Sequence, residues 1–232
     1  MFERDSRIYV EAELLRCVRE AERVYRMSAT AAKEQVKTSR ELGWDHIGGG
    51  CSFHSAINAE RLVLERYRDA LAALNDFLRS GKTPSRKLLL EPLLKRAIAF
   101  TGAAMGNIQV FDREEAALKI EVQLGFHQRF LHFFGRVRDG RSACGAALQA
   151  AQRVVVTDVQ QSPIFAGTEA LDVLVAAGVQ AVQSTPIVGP SGELTGMLST
   201  HYQKAVSPSE PDLRAIDELA RDAGVLIAAA EL

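Results

Sequence analysis

Residues Val179–Tyr202 read VQAVQSTPIVGPSGELTGMLSTHY and contain two strand-forming runs, roughly Gln180–Val188 and Leu194–Tyr202. Between the runs lies Gly189-Pro190-Ser191-Gly192-Glu193, a cluster of residues that favour turns. Glycine accepts positive φ angles and proline pre-sets φ for a turn, so this stretch predicts a β-hairpin with a loop of about five residues.

Strict alternation along both runs assigns the hairpin side chains to two faces. One predicted face carries Ala181, Gln183, Thr185, Ile187, Thr195, Met197, Ser199 and His201. The other carries Val182, Ser184, Pro186, Val188, Leu194, Gly196, Leu198, Thr200 and Tyr202. Both faces are largely apolar, which indicates a strand pair that is covered on both sides. The buried polar side chains need partners: they either bond to backbone and loops or line a small-molecule pocket.

The composition favours a folded protein and gives no indication of a nucleic-acid or membrane partner. The 232 residues carry a net charge of −1, and 47% of them are hydrophobic. There is no basic stripe with interleaved aromatic residues, and no apolar run approaches the ~18 residues of a membrane span. The N-terminus is charged from its third residue, and Cys17, Cys51 and Cys144 are too scattered for a disulfide framework. We therefore expect a cytoplasmic, reducing location.

The first part of the chain has the pattern of two long helices. From Ser6 to Leu42 there is no proline or glycine, and a second helical pattern runs from about Ser52 to Arg79. The first apolar stripe consists of Leu14, Val18, Ala21, Val24, Tyr25, Met27, Ala31 and Val36. Neither helix can bury its stripe alone, so we expect an αα-hairpin or pairing with a second chain. The segment Ser80–Pro84 is the predicted linker to the next region.

A glycine-rich loop near residues 43–50 joins these two helices, and possible metal ligands lie within it and just after it. His46, Cys51 and His54 have suitable chemistry, but their spacing matches no established zinc pattern and a fourth ligand is not evident. The three consecutive glycines are not followed by the Lys-Ser/Thr pair of a phosphate-binding loop. We predict a connecting loop and no metal site.

From about Leu88 onward, helical and strand patterns alternate. The predicted helices are Leu88–Thr101, His127–Val137, Glu169–Ala177 and a long last helix that opens near Ser207. The predicted strands are Met105–Asp112, Ala117–Gly125 and Arg153–Val159, followed by the two strands of the hairpin. Strand Ala117–Gly125 alternates apolar and charged residues, as expected of an edge strand with one wet face.

This order of elements resembles a GAF domain, a sensory fold related to PAS that is common in bacterial signalling proteins. A proline-containing strand, a glycine turn and a return strand of the form L-x-G-M-L-S-x-H, which is Leu194–His201 here, are similar to the end of that domain. The resemblance implies an α+β fold with a central antiparallel sheet of five to six strands flanked by helices, preceded by a long helical hairpin. The expected domains are an N-terminal helical extension, residues 1–84, and a GAF-like domain, residues 85–232.

The resemblance also implies where a ligand pocket lies: it is lined from the sheet, the Cys144 loop and the helix after the third strand, Arg153–Val159. The candidate ligand-binding residues are Asn107, Gln109, Phe126, Phe130, Cys144, Asp158, Phe165, Gln183, Ser184, Ser199 and His201. Each also has a purely structural interpretation: the phenylalanines as core, Asp158 as a turn cap near Gln161 and Gln183 as a bridge between strands.

Enzymatic and cofactor-binding variants of the family fit this sequence poorly. Methionine sulfoxide reductases of the GAF fold resemble one another in having several pocket cysteines, whereas Cys144 is the single cysteine in this part of the chain. Bilin attachment in the family uses a Cys-His pair, and here Gly145 follows Cys144. The N-K-x-F-D-E type of signature for cyclic nucleotides is missing, and a lone histidine among His127, His132 and His201 is weak support for haem. We expect no cofactor.

The resemblance implies a non-catalytic regulatory module that binds a small ligand. In the family the first and last helices form a dimer bundle, so we expect a homodimer that signals to a partner protein such as a kinase. The alternative is a structural or adaptor module whose pocket is filled by its own side chains. A thiol-dependent reductase that uses Cys144 is a third possibility.

Overall fold

The structure is a computed structural model that describes residues 2–42 and 49–231. It divides into two compact units, one formed by Arg7–Pro84 and the other by Ser85–Leu232 together with Met1–Ser6. The candidate metal ligands His46, Cys51 and His54 lie outside the residues whose side chains are described.

The helical unit is an antiparallel pair formed within the chain by α1 (Phe2–Leu42) and α2 (Gly49–Ser80). The rings of Tyr25 and Tyr67 stack with their centroids 6.1 Å apart, and the guanidinium of Arg7 lies 5.7 Å from the centroid of the Phe77 ring. The described part of the helical unit therefore has the intrachain form of the two pairings that the sequence left open.

The second unit begins with α3 (Arg86–Thr101). The Ser85 side chain accepts a hydrogen bond from the Leu88 backbone N–H at the start of the helix, and Gly102 ends it in the left-handed region at φ 64°. Its buried leucines and alanine pack against the sheet and against the last helix, α7 (Glu210–Ala229). Ser209 and Asp212 form a capping box at the start of α7, close to Ser207, near which the sequence predicted that the helix opens.

The sheet has six strands in the order β3-β2-β1-β6-β5-β4, and every neighbouring pair is antiparallel. The strands are β1 (Met105–Asp112), β2 (Ala117–Leu124), β3 (Arg136–Val137), β4 (Val154–Val156), β5 (Ala181–Val188) and β6 (Leu194–Tyr202). The predicted α+β fold with a central antiparallel sheet is confirmed. The expectation that β2 is an edge strand was wrong, because β3 pairs with it through Leu118 and Lys119.

Three short helices cover the sheet face opposite α3 and α7. They are α4 (Gln128–Phe134), α5 (Ala143–Ala150) and α6 (Glu169–Ala176). Their apolar residues form one cluster with residues from β1, β2, β5 and β6, including Met105, Leu118, Val182 and Met197. The unit is therefore a helix–sheet–helix sandwich, with α4, α5 and α6 over the face that carries the site.

The register of the β-hairpin formed by β5 and β6 differs from the sequence prediction. Val188 pairs with Leu194, but Ile187 pairs with Gly196, so Thr195 is an extra residue in β6. A β-bulge of this kind shifts the register by one residue, and a one-residue shift moves every side chain beyond it to the opposite face relative to the partner strand. As a result Val182 and Ser184 share a face with Ser199 and His201, whereas Gln183 does not.

Candidate functional site

A small buried cavity lies between the sheet and the three short helices. Strands β1, β5 and β6 form its floor, and α4, α5 and α6 and the segment before α6 contribute its walls. The lining residues are Asn107, Gln109, Phe130, Phe134, Ser142, Ala143, Cys144, Phe165, Leu174, Val182, Ser184, Ser199 and His201. We refer to this space as the inner cavity.

The sheet register places a polar row across the floor of the inner cavity. Asn107 on β1 pairs with Ser199 on β6, which in turn pairs with Ser184 on β5. The hydroxyls of Ser184 and Ser199 are hydrogen-bonded at 2.8 Å. Gln109 lies two residues from Asn107 on the same strand face, and His201 lies two residues from Ser199. The pleat thus brings five polar side chains from three strands to one spot.

Three buried polar atoms of this group have no hydrogen-bond partner among the residues that the structure describes. They are Asn107 Oδ1, Gln109 Oε1 and His201 Nδ1. The Gln109 amide nitrogen donates to the Phe134 carbonyl oxygen at 3.5 Å, which leaves the side-chain oxygen as an acceptor. An unpartnered buried polar atom typically costs about 1–3 kcal/mol of stability, so three around one cavity indicate a place for a polar guest.

An aromatic wall encloses His201. Phe126 and Phe130 stack with their ring centroids 3.8 Å apart, and the His201 ring is perpendicular to both, with centroid distances of 4.9 Å and 5.6 Å. Burial among these rings disfavours the imidazolium and lowers the pKa of His201 from 6.5 to about 3. His201 is therefore neutral at physiological pH, with one ring nitrogen able to accept a hydrogen bond.

The Cys144 thiol lies at the first turn of α5. The Ser142 hydroxyl caps this helix by accepting from the Gly145 backbone N–H at 3.0 Å, and it lies 3.3 Å from the Cys144 sulfur. Burial raises the pKa of the Cys144 thiol, and its hydrogen bonds to Ser142 and Gln109 offset that effect only in part. A raised pKa keeps the sulfur protonated, the opposite of what a nucleophilic cysteine needs.

Eight of the eleven candidate residues line the inner cavity. These are Asn107, Gln109, Phe130, Cys144, Phe165, Ser184, Ser199 and His201. Phe126 stands directly behind Phe130, so it supports the wall without lining the space.

The structure places Asp158 and Gln183 elsewhere. Asp158 caps a turn, accepting hydrogen bonds from the backbone N–H of Gln160 and the side-chain amide of Gln161 at 2.9 and 2.8 Å. Gln183 is on the opposite sheet face, where its side-chain oxygen accepts from the Thr200 hydroxyl at 2.9 Å. These two positions match the structural interpretations of a turn cap and a bridge between strands.

Five residues that line the inner cavity were not predicted from the sequence. They are Phe134, Ser142, Ala143, Leu174 and Val182. Two of them carried a usable signal: Phe134 follows Phe130 by one helical turn, and Ser142 precedes a small-residue helix as an N-cap. Val182 was missed because the bulge at Thr195 changes which β5 residues face His201.

The inner cavity is small and adjoins a larger surface cleft. Its volume is about 20 Å³, room for roughly one water molecule. The adjoining space, which we call the outer cleft, has a volume of about 520 Å³. Phe134 and Ser142 line both spaces. The outer cleft is further lined by Arg136, Arg138, Asp139, Arg141 and Glu169, with Phe133, Val137, Gly167, Thr168 and Ala170.

Two further properties concern the described residues as a whole. Within ranges 2–42 and 49–231, no group of three or more His, Cys, Asp or Glu side chains is placed to hold a metal ion. None of the helices in the described part of the chain has an apolar stretch long enough to cross a membrane.

Comparison with known proteins identifies the fold of the second unit. The family model for the GAF domain matches residues 85–228, which is more than half of the chain. No curated protein sequence matches the chain.

Solved structures of similar fold come from several bacterial proteins. The GAF domain of a phosphoenolpyruvate-protein phosphotransferase from Coxiella burnetii aligns with a TM-score of 0.55 at 17% identity, covering 69% of this chain and 94% of that one. The corresponding Acinetobacter domain aligns at 0.53 and 12% identity, covering 69% and 90%. The GAF domain of a two-component sensor histidine kinase from Bacillus halodurans aligns at 0.50 and 17%, covering 61% and 95%. These similarities establish the fold, and with the family match they show that the chain belongs to the GAF domain family.

Proposed function

We propose that this protein is a non-catalytic regulatory module whose GAF domain binds a small polar ligand in the inner cavity. The observation that carries the proposal is the convergence of Asn107 Oδ1, Gln109 Oε1 and His201 Nδ1, all buried and without partners in the described residues. A ligand that satisfies them recovers a cost of about 1–3 kcal/mol for each atom, which is a direct source of binding free energy.

The chemistry around Cys144 supports a module without thiol catalysis. A thiol-dependent reductase needs a thiolate and, in the family pattern, a resolving cysteine close by. Burial raises the pKa of Cys144, and no lysine, arginine or acidic residue lines the inner cavity among the residues that the structure describes.

A second candidate function is an adaptor module that binds no ligand. The observation in its favour is the volume of the inner cavity, about 20 Å³, much of whose wall consists of the rings of Phe130, Phe134 and Phe165. In that case each unpartnered atom is satisfied by a trapped water molecule. The two candidates differ in one measurable respect, the presence of a bound molecule larger than water.

Dimerisation through the helical hairpin is part of the proposal. The apolar stripe of α7 is buried within its own unit, from Ile216 to Ile227, so it is not free to join a second chain. The hairpin keeps apolar side chains on its surface, with exposed fractions between 36% and 62%: Ile8, Tyr9, Val24, Met27, Ile57, Leu62 and Leu78. We propose that a second copy packs its own hairpin against the face of α1 that carries Tyr9 and Met27, which lie about five helical turns apart on the same side, and so covers apolar groups on both chains.

Arg153 provides a route from the ligand site to α7. It lies between α5 and β4, where its guanidinium donates to the Leu213 carbonyl oxygen at 3.2 Å, to the Asp217 carboxylate, and to the Thr185 hydroxyl at 2.9 Å. A shift of α5 on ligand binding would move Arg153 and so change the position of α7 against the sheet. We propose that this change reaches a partner protein, such as a kinase.

Native mass spectrometry of freshly purified protein, with an absorption spectrum, tests the ligand proposal. We expect a stoichiometric mass adduct that disappears in the Asn107→Leu variant and persists in the Asn75→Leu control, since Asn75 is exposed on α2. A clean apoprotein mass, together with the same melting temperature before and after incubation with a metabolite mixture, favours the adaptor candidate. The same spectra report whether the protein is a dimer.

A further inference from the structure

The chemistry of the inner cavity specifies a class of ligand, and this inference rests on the proposed function. Two of the unpartnered atoms, Asn107 Oδ1 and Gln109 Oε1, are amide oxygens that accept hydrogen bonds. The remaining hydroxyls are already engaged: Ser184 and Ser199 bond to each other, and Ser142 caps α5. The two amide oxygens can therefore accept hydrogen bonds from N–H or O–H donors on a guest.

Among the described residues, the lining of the inner cavity includes no Asp, Glu, Lys or Arg side chain. Its two titratable members are both neutral at physiological pH, because burial lowers the pKa of His201 to about 3 and raises that of the Cys144 thiol. A buried ion without a counter-charge pays a desolvation cost of several kcal/mol. Charged guests are therefore disfavoured.

The dimensions divide the ligand into two parts. A volume of about 20 Å³ accepts only a very small group, whereas the outer cleft of about 520 Å³ accepts the rest of a larger molecule. Phe134 and Ser142 separate the two spaces and line both. The outer cleft carries guanidinium groups of Arg136, Arg138 and Arg141 beside the carboxylates of Asp139 and Glu169, so it tolerates charge of either sign.

We propose that the inner cavity receives the terminal NH2 group of an uncharged head group, such as a primary carboxamide or a urea, because a volume of about 20 Å³ admits roughly one heavy atom and its hydrogens. The head group donates to Asn107 Oδ1 and Gln109 Oε1, with His201 Nδ1 as a third contact. Any remaining part of the molecule passes between Phe134 and Ser142 into the outer cleft.

Three probes of nearly the same shape test this assignment on the full chain: formamide, which is neutral, formate, an anion, and formamidinium, a cation. Each is titrated while the ring C–H signals of His201 are followed by NMR. We expect a saturable shift of the His201 signals with formamide alone. The rings of His127 and His132 are exposed and serve as internal controls for non-specific effects.

Two variants locate the interaction. Asn107→Leu and Gln109→Leu are each expected to raise the apparent Kd for formamide at least tenfold, as expected for the loss of one hydrogen bond to a desolvated partner. The Asn75→Leu variant is expected to titrate like the original chain. Far-UV circular dichroism confirms that each variant is folded.

The assignment is overturned if formate or formamidinium shifts the His201 signals as strongly as formamide, or if formamide produces no saturable shift. When native mass spectrometry still shows an adduct in either case, the ligand class is wrong and the proposed function stands. When no probe shifts the His201 signals and no mass adduct is seen, the ligand class and the proposed function are both wrong, and the inner cavity holds water alone.

Discussion

Replacing Asn107 with leucine is expected to stabilise the empty protein while abolishing ligand binding. The Asn107 residue is only 4% exposed, its Oδ1 atom has no partner in the described part of the chain, and its side chain faces the apolar rings across the inner cavity. Leucine has the same number of side-chain heavy atoms and introduces no polar group. The substitution therefore removes an unsatisfied acceptor without leaving a void.

The expected gain in stability follows from the free-energy cost of burying Asn107 Oδ1 without a hydrogen-bond partner. Removing one unpaired buried polar atom recovers about 1–3 kcal/mol, and burying a leucine in its place adds apolar contacts. The increase in the free energy of unfolding is expected to be smaller for Gln109→Leu, because that substitution also removes the hydrogen bond to the Phe134 carbonyl oxygen. Core substitutions normally destabilise a protein, so a gain in stability here is a specific signature of a site kept for a ligand.

Amide hydrogen exchange at β1 and β6 measures the effect where it arises. The chain has two compact units, so a local measurement is more informative than a single melting temperature. We expect the protected amides of both strands to exchange about tenfold more slowly for each 1.4 kcal/mol gained. The Asn75→Leu control, on the exposed side of α2, is expected to leave these rates unchanged.

Faster exchange at β1 and β6 in Asn107→Leu would contradict this prediction. It would mean that Oδ1 has a partner in solution, such as a tightly held water molecule, and that the polar row contributes stability without a ligand. Unchanged rates together with unchanged ligand binding would equally contradict the assignment of Asn107 to the site.

Three further predictions concern the pH dependence of stability, the packing of α7 and the proposed dimer. Because the pKa of His201 falls from 6.5 in the unfolded chain to about 3 in the folded one, the unfolded state binds a proton that the folded state does not. Stability is therefore full above pH 6.5 and falls by about 1.4 kcal/mol per pH unit as pH drops towards 3. Urea titrations are expected to show this loss in the original chain and in His132→Gln, and less of it in His201→Gln. Gly224→Ala is expected to destabilise the GAF domain by about 1–3 kcal/mol despite the better helix propensity of alanine, because the new Cβ would lie 2.1 Å from the Val188 carbonyl oxygen; thermal unfolding that matches the original chain would contradict this close packing. Met27→Glu, at a position 62% exposed on α1, is expected to convert the proposed dimer to a monomer in sedimentation experiments, and a variant that remains a dimer excludes this surface as the interface.

Much of the fold was predictable because its signals are local. Strand β1 has the bounds that the sequence predicted, Met105–Asp112, and the glycine-rich turn placed the hairpin loop between Val188 and Leu194. The last helix, expected to open near Ser207, begins at Glu210. Strand β3 was missed because two residues are too few to show a period, and it was included in the preceding helix.

The site was predictable only in part, because its composition depends on register. A single extra residue, Thr195, decides that Ser184 faces the inner cavity and that Gln183 faces away from it. Nothing in the local sequence distinguishes those two polar residues, since both lie in the same apolar strand. The volume of the cavity is set by how Phe130, Phe134 and Phe165 pack, and side-chain packing of that kind has no sequence pattern.

The role of α7 also depended on tertiary structure. Its apolar stripe was compatible both with a dimer bundle and with packing inside the domain. The structure shows Ile216, Leu219 and Ala223 buried within the unit, where α7 packs against α3 and β5. The proposed dimer therefore rests on the N-terminal hairpin alone.

A high-resolution crystal structure of the full chain, purified without added ligands, would show directly whether the inner cavity holds a ligand. We expect electron density for a molecule larger than water, with donor atoms within hydrogen-bond distance of Asn107 Oδ1 and Gln109 Oε1. An inner cavity that contains only water, or in which both oxygens have found protein partners, would contradict it.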